Sequence, residues 1–301
     1  MNKRGITFAI FTAVVSGFSI FVNKFGLSGF DPYIFTGMKN IAVAVFLIAA
    51  LMLLKDHREI FKLTGKQWGK LFAIGLAGGS IPFLLFFKGL SLASSAMGAF
   101  IHKTMFVFVA IGAVFFLKEK VDRRFIIAAL FLLSGNFLLL KLDVLSFGMG
   151  EALILIATLF WAGEQLISKH ALKEMSSRVV AFGRMFFGSA IIMMFWASTG
   201  RLESAISITG PQLAWIGLTA AFLLLYVVSW YYALQQLKAH VAVSILLLGS
   251  PVTTILSVAF LGATFTIGQA FGMLMIVGGV VSAVGIAQAH GLLKWFFPSR
   301  T

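Results

Sequence analysis

Five side chains that can carry a charge or a proton lie well inside long apolar stretches: Lys39, His102, Lys103, Glu164 and Arg184. Such groups are costly in an apolar medium, so each needs a ligand, a proton or a partner there. Lys103 is the sharpest candidate. It lies about ten residues into its stretch, roughly 15 Å along a helix. Ala96, Ala99, Ala110 and Ala113 share its side, and small residues mark a side that faces protein or a cavity. An ammonium there suits a carboxylate or phosphate of a ligand, or a carboxylate that locks two helices. His102 is adjacent and points about 100° away. Its ordinary pKa suits proton carriage; packing is the plainer use. Glu164 follows Trp161 by three and precedes Ser168 by four, so the three share a helix face. It suits a coupling proton, a cationic amine, or an ion pair with Arg184 or Lys103. The Trp161 indole suits stacking on a ligand or packing in a core.

Other residues are secondary candidates. Lys39 and Arg184 are repeat mates, each seven residues after its expected helix start, which favours structural work in both. Trp230, Tyr231 and Tyr232 read as an interfacial aromatic belt, with Tyr231 kept as a secondary site residue. Two backbone weak points are visible. Gly78-Gly79-Ser80-Ile81-Pro82 interrupts one stretch and Gly249-Ser250-Pro251 another, because proline frees a carbonyl and kinks a helix. Gly79, Pro82, Gly249 and Pro251 are therefore candidate gating positions, with Ser250 a polar group beside the second. Gly268 and Gly272 form a GxxxG pair, a close-packing signal.

The elements that position these residues are ten apolar stretches: 5–22, 33–54, 71–87, 93–117, 125–140, 152–167, 179–197, 213–234, 241–265 and 270–289. They lack strand alternation and read as helices. The chain is 60% hydrophobic and 11% charged, with a mean hydropathy of +1.00, against about a quarter charged in soluble domains. It reads as an integral membrane protein. Lys3 and Arg4 before the first stretch imitate a secretory signal, but the apolar run is too long, and an uncleaved first helix is expected. Leu90–Gly135 aligns without a gap on Leu234–Gly279 at a shift of 144, the distance from Leu117 to Leu261. A weaker echo places Lys24 on Lys169 and Lys39 on Arg184. The expectation is two halves, 1–146 and 147–301. With the N-terminus inside, the inner segments hold most of the 24 Lys and Arg, as the positive-inside rule requires. Both termini are then cytoplasmic, in a multi-pass protein of the plasma membrane. Five crossings per half make the repeats inverted, the arrangement of alternating-access transporters.

Several classes are excluded or unsupported. The net charge of +14 sits in short loops and speaks for membrane orientation, with no nucleic-acid partner. The chain has no cysteine, which removes disulfides, iron–sulfur clusters and thiol catalysis. No Walker A, GxGxxG or HExxH pattern is present, so no cofactor, metal or enzymatic function is expected.

These features resemble the drug/metabolite transporter superfamily, in its EamA group. The resemblance is carried by Ala233-Leu234, Ala239 to Val243, Gly249-Ser250-Pro251-Val252, Phe260-Leu261-Gly262, Gly272 and Gly278-Gly279. Leu117-Lys118-Glu119 in the first half, Trp161 and Arg184 also fit. The chain departs from the pattern at Ser250 and Ala263, where acidic residues are usual, and at Val107, where the proline is missing. The resemblance implies an all-α integral membrane fold of ten transmembrane helices as two inverted five-helix EamA-like repeats. It implies a secondary transporter, commonly an exporter of amino acids or related metabolites. It also implies a central pocket between helices one, three, four, six, eight and nine. His102, Lys103, Trp161 and Glu164 lie on these helices; Lys39 and Arg184 do not. The implied partners are a small-molecule substrate and the lipid bilayer, with proton coupling and homodimerisation left open. Uptake or facilitated diffusion of an organic anion, and a non-transporting membrane scaffold, are the alternatives.

Overall fold

The computed structural model describes residues 2–26, 30–90, 92–93, 95–140 and 147–285, with the backbone alone for Lys24, Ser95 and Ala96. Lys141, Lys294 and Arg300, which enter the charge distribution, lie outside the described residues, as does the expected end of the first half at 146. Every regular element among the described residues is helical. The order is α1 (Lys3–Gly26), α2 (Pro32–Leu53) and the short α3 (His57–Ile60). A third crossing is built from α4 (Gly65–Ile74), a π-helical turn (Gly75–Ser80) and α5 (Ile81–Leu90). The fourth comes in two pieces, α6 (Ser95–Lys103) and α7 (Met105–Leu117), and α8 (Arg123–Leu139) follows. The second half contains α9 (Met149–Ala171), α10 (Ser177–Ser198), the short α11 (Leu202–Ile206) and α12 (Gly210–Gln236). It then has a second two-piece crossing, α13 (Ala239–Leu246) with α14 (Gly249–Leu261), and ends in α15 (Ile267–Val284).

Nine crossings among the described residues are long and apolar enough to span a bilayer. The tenth expected crossing, α8, has 17 residues, at the short end of what spans a membrane. The outside of the bundle is apolar, with Phe115, Phe116, Phe260, Phe271 and Leu274 exposed. The third crossing starts earlier than the apolar pattern does. Thr64 and Gln67 form a reciprocal capping box, which begins the helix at Gly65, six residues before the apolar run.

The repeat is visible as a sequence of backbone events. Thr104, which separates α6 from α7, stands 144 residues before Leu248, which precedes α14. Lys118 and Gly262 end α7 and α14 in the left-handed conformation, at φ 55° and 62°. Asp122 and Thr266 then cap α8 and α15, accepting from the amides of Phe125 and Gln269. Pro251 has no N–H for the Leu247 carbonyl, so the ninth crossing breaks at Leu247–Leu248, just before Gly249 and Pro251. The fourth crossing breaks without a proline. There the Thr104 hydroxyl bonds the Ile101 carbonyl at 2.6 Å, and the break escapes a search for proline. The expected GxxxG contact is half present: Gly272 meets Gly135 across α8 and α15, whereas Gly268 meets only its own cap residue Thr266.

The π-helical turn touches α10 backbone to backbone. A Cβ on Gly188 would lie 2.7 Å from the Cα and carbonyl oxygen of Gly79, and neither atom can rotate away. Gly188→Ala is therefore expected to lower stability by about 1–3 kcal/mol. Gly163→Ala, whose Cβ would meet open space, is expected to be neutral or slightly stabilising. Melting temperatures of the two purified variants make the comparison. Equal values would mean that α10 slides off the turn at little cost.

Candidate functional site

The interrupted third crossing is the centre around which the candidate residues gather. Pro82 cannot donate to the Gly78 carbonyl four residues earlier, and the wider π turn loosens the ladder there. Side chains from other helices complete it. The Gly78 oxygen accepts from Trp161 Nε1 at 3.1 Å and from Arg184 Nη2 at 3.2 Å. The Gly79 oxygen accepts from Asn40 Nδ2 at 3.1 Å. Irregular backbone at membrane depth is tolerated where protein groups satisfy it. Gly78 admits no side chain: a Cβ would lie 2.4 Å from Glu164 Cγ.

Behind this turn lies a buried polar network. Glu164 is fully buried. Its Oε1 accepts from Ser168 Oγ, one turn on, and from Tyr231 OH at 2.7 Å. Its Oε2 accepts from Gln165 Nε2 at 2.7 Å, and Gln165 Oε1 accepts from Trp230 Nε1 at 2.8 Å. Trp230 and Tyr231 are fully buried. The interfacial-belt reading fails for both, because an indole N–H and a phenol in α12 are needed to satisfy Gln165 and Glu164 on α9. The Arg184 guanidinium lies within the electrostatic reach of Glu164. No direct ion pair joins it to Glu164 among the described residues, and its Nε and Nη1 lack hydrogen-bond partners there.

On the other side of Trp161 is an aromatic wall. The indole meets Phe83, Phe86 and His102 edge-to-face, with ring centroids 5.3, 5.3 and 4.9 Å apart. Phe86 also meets the imidazole at 5.5 Å, and Phe87 packs beside Phe83 and Phe86. His102 and Lys103 end α6 at the helix break. Both are deep among protein atoms yet only half-buried. Tyr226 on α12 has the same character and stacks on Trp230 at 6.4 Å. The Lys103 ammonium has no ion-pair partner among the described residues.

The structure thus brings Trp161, Glu164, Arg184, Tyr231, Gly79 and Pro82 around one turn, with His102 against Trp161 and Lys103 next to it at the end of α6. Lys39 stands apart, bonding Asn23 Oδ1 at 2.9 Å and lying 4.4 Å over the Phe35 ring. Gly249 packs against α1, where a Cβ would lie 2.8 Å from the Ala13 carbonyl. Ser250 is buried with its hydroxyl unpartnered among the described residues, and Pro251 is buried beside it. Asn40, Gln165 and Tyr226 belong to the site and escape a search for charged residues. The signal for the first two is an uncharged amide inside an apolar stretch.

The EamA-like transporter family matches this chain twice, over residues 3–141 and 148–285. A Haemophilus influenzae protein described as an uncharacterized transporter is 28% identical over 206 residues. That match covers 66% of each chain, just under two thirds of the relative's length. A solved crystal structure superimposes with a TM-score of 0.75 at 15% identity, over 96% of this chain and 99% of that one. This last likeness is one of fold.

Proposed function

The chain belongs to the EamA-like transporter family, and on that premise we propose that it exports a small metabolite, an amino acid or a related compound, by alternating access. A multi-pass membrane transporter contacts a small solute and the bilayer. The solute class rests on the site. Lys103 carries the reading: an ammonium at the break of a crossing, deep among protein atoms, without an ionic partner among the described residues and next to the His102–Trp161–Phe86 wall. That combination suits a solute with a carboxylate and an apolar body. Matching breaks at Thr104 and Leu247–Leu248 support alternating access, because half-helices move separately where whole ones cannot. The Lys and Arg distribution supports a plasma-membrane protein with both termini inside.

The test begins with a thermal-shift panel of the twenty amino acids and small mono- and dicarboxylates. A solute at a hundred times its Kd adds about 2.7 kcal/mol of stability. Each stabilising solute is then used, radiolabelled, for counterflow in proteoliposomes. Exchange above that of protein-free vesicles is the expected result. Stabilisation without exchange for every hit would refute transport and leave a membrane scaffold.

A further inference from the structure

The two halves of the chain are tied differently at the two ends of the bundle. At the end where α7 stops and α13 starts, Glu119 Oε2 lies 2.6 Å from His240 Nδ1. Glu119 Oε1 accepts from the Ala239 amide at 2.9 Å, the first N–H of α13, where the helix dipole favours a negative charge. The two side chains are nearly covered, His240 at 5% and Glu119 at 10% exposure. Phe125 stands edge-on to the imidazole with centroids 4.8 Å apart, and Lys238 Nζ reaches the Lys120 carbonyl. Burial pushes the Glu119 carboxyl up, but the hydrogen bonds from His240 and the Ala239 amide outweigh it and hold it below the usual carboxylate range.

More exposed ties between the halves lie at the same end: Lys70 with Glu174, Asp56 with Arg178, and Glu59 with the Ser176 amide. The positions related to Glu119 and His240 by the 144-residue repeat are Ala263 and Ala96. Two alanines cannot form the pair. At that opposite end the polar ties between the halves include Gln269 Nε2 with the Leu139 carbonyl at 3.1 Å, a neutral bond, and Arg201 with Asp31 at 3.5 Å, about a third exposed on both sides.

We propose that Glu119 and His240 form a one-sided lock that holds this end of the bundle shut, and that the end opens by parting α13 from the α7–α8 loop. The proposal rests on the transport reading above. α13 is the first piece of a broken crossing, so it can swing about Leu247–Leu248 while α14 stays against α1. On the proposed orientation the locked end is the cytoplasmic mouth. The resting protein is then biased toward the state closed to the cytoplasm, and the lock must part before a cytoplasmic solute can enter the cavity.

The chain has no native cysteine, so a single Lys103→Cys reports access to the cavity. Its reaction with a membrane-impermeant maleimide is followed without substrate, from the side on which Lys62→Cys reacts. Glu119→Ala or His240→Ala is expected to raise that rate about ten- to a hundredfold, the value of a hydrogen bond to a charged group. The double variant is expected to add nothing further. Unchanged rates in variants that keep their melting temperature would overturn the lock. A second arm bridges Glu119→Cys and His240→Cys with a short reducible bis-thiosulfonate. Bridging should stop counterflow and reduction should restore it; counterflow through the bridged protein would also overturn the lock. Because labelling is read without solute, its failure is distinct from that of the transport reading, which would show as no counterflow in the unmodified protein.

Discussion

Lys103→Met is expected to weaken substrate binding about ten- to a hundredfold and to leave the melting temperature unchanged or raised. The first part follows from the charge. An ammonium that meets a solute carboxylate in a cavity contributes about 1.5–3 kcal/mol net, and each 1.4 kcal/mol is a decade in Kd. The second part follows from the surroundings. Glu164, the deep carboxylate considered as a partner for Lys103, is held instead by Ser168, Tyr231 and Gln165. Removing the ammonium therefore strands no carboxylate, and methionine fills the space at no ionic cost. The measurement is a thermal-shift titration of the best solute from the panel against both proteins, with melting temperature read in the same traces. A lowered melting temperature that Glu164→Gln restores would make Lys103 a structural partner. Unchanged affinity at an unchanged melting temperature would remove Lys103 from the site.

The helices, the repeat and most of the candidate residues are legible in the sequence because each rests on a local rule. Apolar runs of bilayer length, the caps at Asp122 and Thr266, and the proline at 82 need no neighbours to be recognised. What is not legible is set by contacts between distant segments. Trp230 and Tyr231 look like interface residues until α9 brings Gln165 and Glu164 against them. Lys39 and Arg184 are repeat mates with different fates. Arg184 reaches the freed Gly78 carbonyl of the third crossing, whereas Lys39 bonds Asn23 on α1. The break at Thr104 lacks its own sequence mark, and only the 144-residue repeat points to it from Leu248. Glu119 and His240 lie at opposite ends of a 121-residue separation, and their neighbours in sequence are ordinary loop and helix-start residues.

Glu164→Ala is expected to be the most damaging single change in the molecule. It leaves the Ser168 and Tyr231 hydroxyls and the Gln165 amide without their acceptor, in a place closed to water. A buried polar group left unsatisfied costs about 1–3 kcal/mol. It also removes the carboxylate whose field acts on the Arg184 guanidinium, which already has two donors without partners among the described residues. Loss of that field leaves the buried guanidinium less compensated and adds to the cost. Together these approach the whole stability of a domain, so Glu164→Ala should aggregate or melt far below the parent. Glu164→Gln keeps the shape and one acceptor and should melt in between. Arg184→Met separates the two contributions. Alone it removes one of two donors from the Gly78 carbonyl, and Trp161 still serves that oxygen. Combined with Glu164→Gln it also removes the charge left without a counterpart, so the double variant should melt well above the sum of the single losses. Strictly additive losses would mean that the two groups do not interact, and Arg184 would then be available to a bound anion.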